Sequence, residues 1–233
     1  PNIHPRIRNH ESIFGIISKK DMMLHFPYQT FNHYINWLRE ASMDPKVTAI
    51  RTTLYRVASN SAVINALINA ALNGKYVNAN IELQARFDEK ANIYWSKKLE
   101  EAGVHVTFGI QGLKVHSKLT LITRIENGKQ VNYAGVGTGN FHEGTARVYS
   151  DLIILTKDKR ITAETWKVFD FFENTYKNYK YNQLIVSPNY QRTKLNQLIN
   201  QEMRNAKEGK KAYIILKVNS LVDKDMIRKL YQA

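Results

Sequence analysis

Apolar residues recur along this chain with two periods. Met22 to Phe26 is a short apolar run closed by Pro27-Tyr28, and Phe31, Tyr34, Ile35 and Leu38 then share the spacing of one helix face. Asp44-Pro45 stops that helix. Val47 to Val57 is rich in β-formers and predicts a buried strand. Ser59 or Asn60 can cap the next helix, whose apolar face is Ile64, Leu67, Ile68 and Ala71 and which Asn73-Gly74 ends. Val77, Ala79, Ile81 and Leu83 alternate with polar residues as a strand. A helix from about Lys90 to Glu101 follows, then a strand from Val104 to Phe108. Strands and helices in alternation, joined by short loops, predict a parallel sheet flanked by helices. Residues 1–20 carry Pro1 and Pro5 and no clear period, and read as a connector from a preceding part.

Asn127-Gly128 joins the β-rich runs Leu119–Ile125 and Tyr133–Gly137, a strong hairpin signal that adds antiparallel strands. Val148 to Leu155 continues the sheet, and Ile161 to Phe172 predicts a helix. The aromatic residues from Trp166 to Tyr181 read as core and interface. The order then restarts. Leu184-Ile185-Val186-Ser187-Pro188 echoes Leu24-His25-Phe26-Pro27, a helix with Leu195, Leu198, Ile199 and Met203 follows, Lys211 to Val218 is a strand, and Asp223 to Tyr231 a helix. We read an internal duplication, with residues 21–180 as one complete α/β unit and 181–233 as the truncated start of a second.

Charge narrows the partners. The 233 residues hold 34 Lys and Arg against 20 Asp and Glu, a net charge of +14, with 43% hydrophobic residues. The excess calls for a polyanion: nucleic acid, an anionic membrane, a nucleotide or inorganic polyphosphate. Without cysteine there is no disulfide framework and no thiolate metal site. No apolar run reaches the length of a membrane span. A cytoplasmic location is the simplest expectation, with peripheral contact to a membrane permitted by the charge.

The candidate chemistry sits on the hairpin. Side chains alternate faces in a strand, so His116 and Lys118 point the same way. A two-residue turn pairs Lys118 with Gly137 and His116 with Gly139. Bare glycine backbone then lies beside an imidazole and an ammonium, where a phosphate can approach N–H groups. A lone His-x-Lys is more often a solvated strand face, and the glycine-rich return strand is what raises this pair above that. Neutral imidazole is available near pH 7 to attack phosphorus. Arg56 and Arg86 follow successive strands at their carboxyl ends, where open α/β sheets bind ligands, and their forks suit phosphate. Thr138 and Asn140 can donate to phosphate oxygens or orient His116.

Leu113-Lys114-Val115-His116-Ser117-Lys118-Leu119, followed by Tyr133-Ala134-x-x-Gly137-Thr138-Gly139-Asn140-Phe141, resembles the polyphosphate kinases of the phospholipase-D-like superfamily. So do Tyr55-Arg56-Val57-Ala58 and Glu82-Leu83-Gln84-Ala85-Arg86-Phe87-Asp88-Glu89. The resemblance implies a phospholipase-D-like mixed sheet in two copies. It implies reversible transfer of the terminal phosphate of ATP to polyphosphate, with His116 as the phosphohistidine and Lys118 neutralising phosphoryl oxygens. Arg56 and Arg86 would belong to the phosphate and Mg²⁺ site, contacting the metal only through the phosphates. Asp88 and Glu89 are ion-pair partners of Arg86 or metal-site groups. Tyr149 would contact the nucleotide and Arg147 the phosphates. Implied partners are polyphosphate, ATP or ADP, amino- and carboxyl-terminal parts of the same chain and a homo-oligomer, with no specific nucleic acid. The second copy's histidine would lie beyond Ala233, so the 233 residues alone are expected to be inactive. Many relatives have histidine where Gly135 stands, and His142 gives no ground for calling it a replacement. The competing readings are a phospholipase-D-like phosphodiesterase or nuclease and a non-catalytic polyanion-binding module.

Overall fold

The computed structural model describes all residues except 8–10, 59, 83–88 and the side chain of Glu89. It divides into two compact units, Pro1–Tyr179 and Lys180–Ala233. The first unit runs α1 (Ile13–Lys19), β1 (Met22–His25), α2 (Asn32–Met43), β2 (Val47–Leu54), α3 (Ala62–Leu72) and β3 (Tyr76–Ile81). It continues through α4 (Glu89–Glu101), β4 (His105–Phe108), β5 (Lys118–Glu126), β6 (Lys129–Gly137), β7 (Leu152–Thr156) and α5 (Lys159–Glu173).

The strands form one mixed sheet of α/β class, ordered β1-β7-β6-β5-β2-β3-β4. Among the described strands, β2, β3 and β4 pair in parallel and the rest antiparallel. The expectation that the first strand joins them is corrected: β1 pairs antiparallel with β7 at the opposite edge. The reason is that β5 takes the free side of β2, and β6 and β7 fill the sheet between them and β1. The hairpin turn forms as read, with Asn127 at φ 50° and Gly128 at φ 74°, the left-handed pair that matches strand twist.

Residues 1–20 are also corrected. Ser12 caps α1 by accepting from Gly15 N at 3.1 Å, and Ile13, Phe14, Ile16 and Ile17 are buried. Phe14 meets Tyr133 of β6 edge-on, ring centres 4.8 Å apart. Seven residues, mostly apolar, are too short to show a helical period. Ser61 caps α3, in place of Ser59 or Asn60, by accepting from Ile64 N at 3.2 Å. In β3 the intervening polar residues are buried too: Asn80 donates to Thr107 Oγ1 at 3.0 Å, and Asn78 to Glu173 at 3.3 Å. A parallel strand covered on both faces has no solvent side to alternate toward. Fully buried residues such as Leu38 and Ile50 each contribute roughly 1.5–3 kcal/mol. Phe169 is buried, but Trp166 and Tyr176 are exposed, so the aromatic cluster is core only in part.

The second unit holds α6 (Gln191–Lys207) and α7 (Lys224–Gln232). The helices fall where expected. Leu184–Val186 and Lys211–Val218 form no strand, and Tyr213 and Ile215 are exposed. A strand needs a partner edge, and no other segment of this unit is strand among the described residues. The turn before α6 matches the one before α2: Tyr190 N donates to Val186 O at 3.0 Å as Gln29 N does to His25 O at 2.8 Å.

Candidate functional site

The site is built at the carboxyl end of β2 and the start of β5. Lys118 pairs with Gly137 as read, but β5 begins at Lys118 and the pairing of His116 with Gly139 does not form. The ladder is closed off from both sides. Thr53 Oγ1 of β2 donates to Ser117 O at 2.7 Å and accepts from Leu119 N at 3.0 Å. Just past the return strand, Gly139 lies under Asp151, and a Cβ there would stand 2.2 Å from Asp151 Oδ2. His116 therefore sits in a loop, exposed to solvent.

Lys118 is nevertheless brought to it. Its Nζ lies 3.0 Å from His116 Nδ1 and also donates to His116 O. Tyr55, just past β2, meets the imidazole edge-on with ring centres 4.8 Å apart. Lys118 Nζ and Lys114 Nζ stand 5.1 and 5.5 Å from the centre of the same Tyr55 ring. Lys118 is buried, and that burial pushes its pKa down to about 8. Arg56 adds to the depression and Asp151 opposes it. His116 is held below the usual histidine value by desolvation first, then by Lys118, Lys114 and Arg56, with Glu82 opposing. The pocket thus favours a neutral imidazole ringed by cations, the state that suits attack on a phosphoryl group.

The structure sorts the other predicted residues unevenly. Arg56 belongs with His116 and Lys118, since its charge acts on both. Arg86 and Asp88 lie outside the described residues, as does the Glu89 side chain. Thr138 Oγ1 donates to Asp151 Oδ1 at 2.9 Å and accepts from Leu152 N at 3.0 Å, so its hydroxyl is tied to the start of β7. Asn140 presents a buried Oδ1 that has no hydrogen-bond partner among the described residues. The expected strand from Val148 is corrected: Thr145–Arg147 is a single 3₁₀ turn, Tyr149 N donates to Thr145 O at 2.9 Å, and β7 starts only at Leu152. Tyr149 is exposed, off the sheet. His142 Nδ1 accepts from Gly144 N and Thr145 N at 3.0 and 3.2 Å, which closes the turn that leads into the 3₁₀ segment. A Cβ at Gly135 would meet buried Trp37 at 3.0 Å and Leu155 at 3.3 Å, so a side chain at 135 faces the core of this chain.

Thr53, Tyr55, Asp151 and Glu143 also shape the site. Glu143 Oε1 accepts from Ala62 N at 2.7 Å and Val63 N at 3.3 Å, fastening the loop after β6 to the start of α3. Tyr55 is legible as a neighbour of Arg56 in its motif; the others are placed only by tertiary contact. No group of three His, Asp or Glu side chains that could hold a metal occurs among the described residues. No described helix is long and apolar enough to cross a membrane.

The sheet gives the chain a fold of the phospholipase-D-like class. Its fold is similar to that of a phospholipase D family member, Nuc from Salmonella typhimurium, with a TM-score of 0.51 at 15% identity over 69% of this chain and 98% of that one. Within that class the chain belongs to the polyphosphate kinase family: the models for polyphosphate kinase C-terminal domains 1 and 2 match residues 12–178 and 184–233. It is 53% identical to the polyphosphate kinase of Vibrio parahaemolyticus over 220 residues, 94% of this chain and 32% of that protein. With that of Escherichia coli K12 it shares 51% identity over the same span, again 32% of the relative. The crystal structure of polyphosphate kinase from Porphyromonas gingivalis matches with a TM-score of 0.83 and 38% identity, covering 93% of this chain and 36% of that one. The chain thus spans about a third of the length of these relatives.

Proposed function

We propose that this chain carries the phosphoryl-accepting site of an enzyme that reversibly transfers the terminal phosphate of ATP to inorganic polyphosphate through a phosphohistidine at His116. The observation that carries this reading is Lys118 Nζ at 3.0 Å from His116 Nδ1. Nε2 is the ring nitrogen on the far side from that contact; it attacks as the tautomer whose proton is on Nδ1, with the Lys118 ammonium held by the His116 carbonyl oxygen. As Nε2 attacks the terminal phosphorus, an N–P bond forms, and the P–O bond to ADP breaks with its electron pair leaving on ADP. A terminal oxygen of polyphosphate next attacks the same phosphorus, the N–P bond breaks, and the polymer is one unit longer. Lys118 and Arg56 neutralise non-bridging oxygens as charge gathers there. Arg86 shares that task on the evidence of its motif. Asn140 orients a phosphate by donating from its Nδ2 amide, and exposed Tyr149 stacks on the nucleotide base. Mg²⁺ accompanies the nucleotide phosphates; its charge would be met by phosphate, with Arg56 gripping the phosphates that hold it.

The same reading makes ATP or ADP and polyphosphate the ligands. A self-associated, cytoplasmic protein of the relatives' length is the working form, with residues 21–180 and 181–233 as successive copies of one fold. The 233 residues supply one histidine–lysine loop and turn over poorly alone, because an opposing acid–base group contributes about 10²–10⁴ in rate. The test uses the protein at the relatives' length with γ-labelled ATP, Mg²⁺ and polyphosphate, beside an aryl phosphodiester. Label on protein and growth of polymer support the kinase. Diester cleavage without labelling supports the phosphodiesterase suggested by the Nuc-like fold, and binding without either reaction supports a polyanion-binding module.

A further inference from the structure

Glu82 opens the second motif of the family resemblance and directly follows β3. Its carboxylate is buried, and Oε2 accepts a hydrogen bond from Val115 N at 3.2 Å. Val115 precedes His116 in a segment that lies outside the ladder. Thr53 holds the other side through Ser117 and Leu119. His116 is thus suspended between one anchor from the end of β3 and one from β2. The anchor is itself braced. Asn92 of α4, wholly buried, donates through Nδ2 to Glu82 O at 2.8 Å and to Tyr55 O at 3.1 Å, tying together the two strand ends on which Glu82 and Tyr55 stand.

A buried carboxylate is expensive beside a site meant for polyanions, since it repels them and loses its own hydration. Here it meets a backbone amide whose position sets the following residue. We propose that Glu82 is a positioning residue for phosphoryl transfer: it fixes the Val115 amide and thereby the placement of the His116 ring against Tyr55 and Lys118. The inference rests on the phosphohistidine reading of His116. Electrostatics adds a second handle. Lys118, Lys114 and Arg56 lower the pKa of His116, and Glu82 opposes them.

Glu82→Gln keeps an oxygen for Val115 N and removes the charge; Glu82→Ala removes both. In the 233-residue chain, nitrogen-15 NMR should show the His116 titration moving to lower pH in both variants, and the Val115 amide resonance moving mainly in the alanine variant. In the protein at the relatives' length, kcat should fall about tenfold to a hundredfold for Glu82→Ala, the scale expected for a misplaced reacting group. Glu82→Gln should retain more, and KM for ATP should stay nearly unchanged in both. If Glu82→Ala fails to fold, the near-isosteric glutamine variant decides through the titration. An unshifted His116 titration together with wild-type kcat in Glu82→Gln and Glu82→Ala overturns the proposal. If wild-type protein takes no label on His116, the phosphohistidine reading fails by itself, while the two NMR readouts still decide whether Glu82 anchors the loop.

Discussion

Lys118 Nζ lies 3.0 Å from Nδ1 of His116 and hydrogen-bonds the same residue's carbonyl oxygen. One ammonium therefore fastens the backbone of the candidate nucleophile and stands beside its ring. It does so while buried against Tyr55, which is why its own charge is costly to keep.

That cost sets a pH window. His116 has a pKa below the usual 6.5, so its neutral form persists as pH falls through that value. Lys118 loses its proton as pH rises through about 8. The profile of kcat/KM, which reports the free enzyme, should therefore stay high somewhat below pH 6.5 and decline above about pH 8. Bound phosphate favours the ammonium, so the alkaline limb should move upward in kcat. A kcat/KM that keeps rising well beyond pH 8 contradicts a phosphate-neutralising Lys118.

Arg56 acts on His116 and Lys118 together. Charge-assisted bonds to phosphate are worth roughly 1.5–3 kcal/mol each, so Arg56→Ala and Arg86→Ala should each lower transfer by tenfold or more while thermal melting changes little. Arg→Lys should not restore activity, because lysine lacks the planar fork. Near-normal rates in both lysine variants would exclude bidentate contact.

Gly139 has no room for a side chain: a Cβ would lie 2.2 Å from Asp151 Oδ2 and 2.7 Å from Asp151 Cβ. Gly139→Ala should push Asp151 away from Thr138, lower stability by about 1–3 kcal/mol as overpacking does, and reduce labelling. Adding Asp151→Gly should recover most of the melting temperature and leave the labelling defect, since Asp151 supports the charge of Lys118. Unchanged melting in Gly139→Ala would show that the loop does not need this close approach.

The hairpin was legible down to the pairing of Lys118 with Gly137 because turn chemistry and strand alternation are local rules. The pairing of His116 with Gly139 was not, because it is decided by Thr53 and Asp151, which arrive from β2 and from the start of β7. The parallel order β2-β3-β4 followed from alternating elements, whereas the antiparallel β1 depended on where the hairpin inserts. That His116, Lys118 and Arg56 come together was readable from motif and strand ends. Asp151 and Glu143 carry no local signal, and their work is visible only once the loops after β2 and β6 are brought together.

The central claim is that His116 accepts the phosphoryl group. The most direct measurement is to incubate the protein at the relatives' length with γ-labelled ATP and Mg²⁺, trap it at alkaline pH, and map the label by peptide sequencing in wild type, His116→Ala and His142→Ala. The account predicts acid-labile label on His116, none in His116→Ala, and label retained in His142→Ala, whose Nδ1 closes a turn. Label on another residue, or undiminished labelling of His116→Ala, would contradict it.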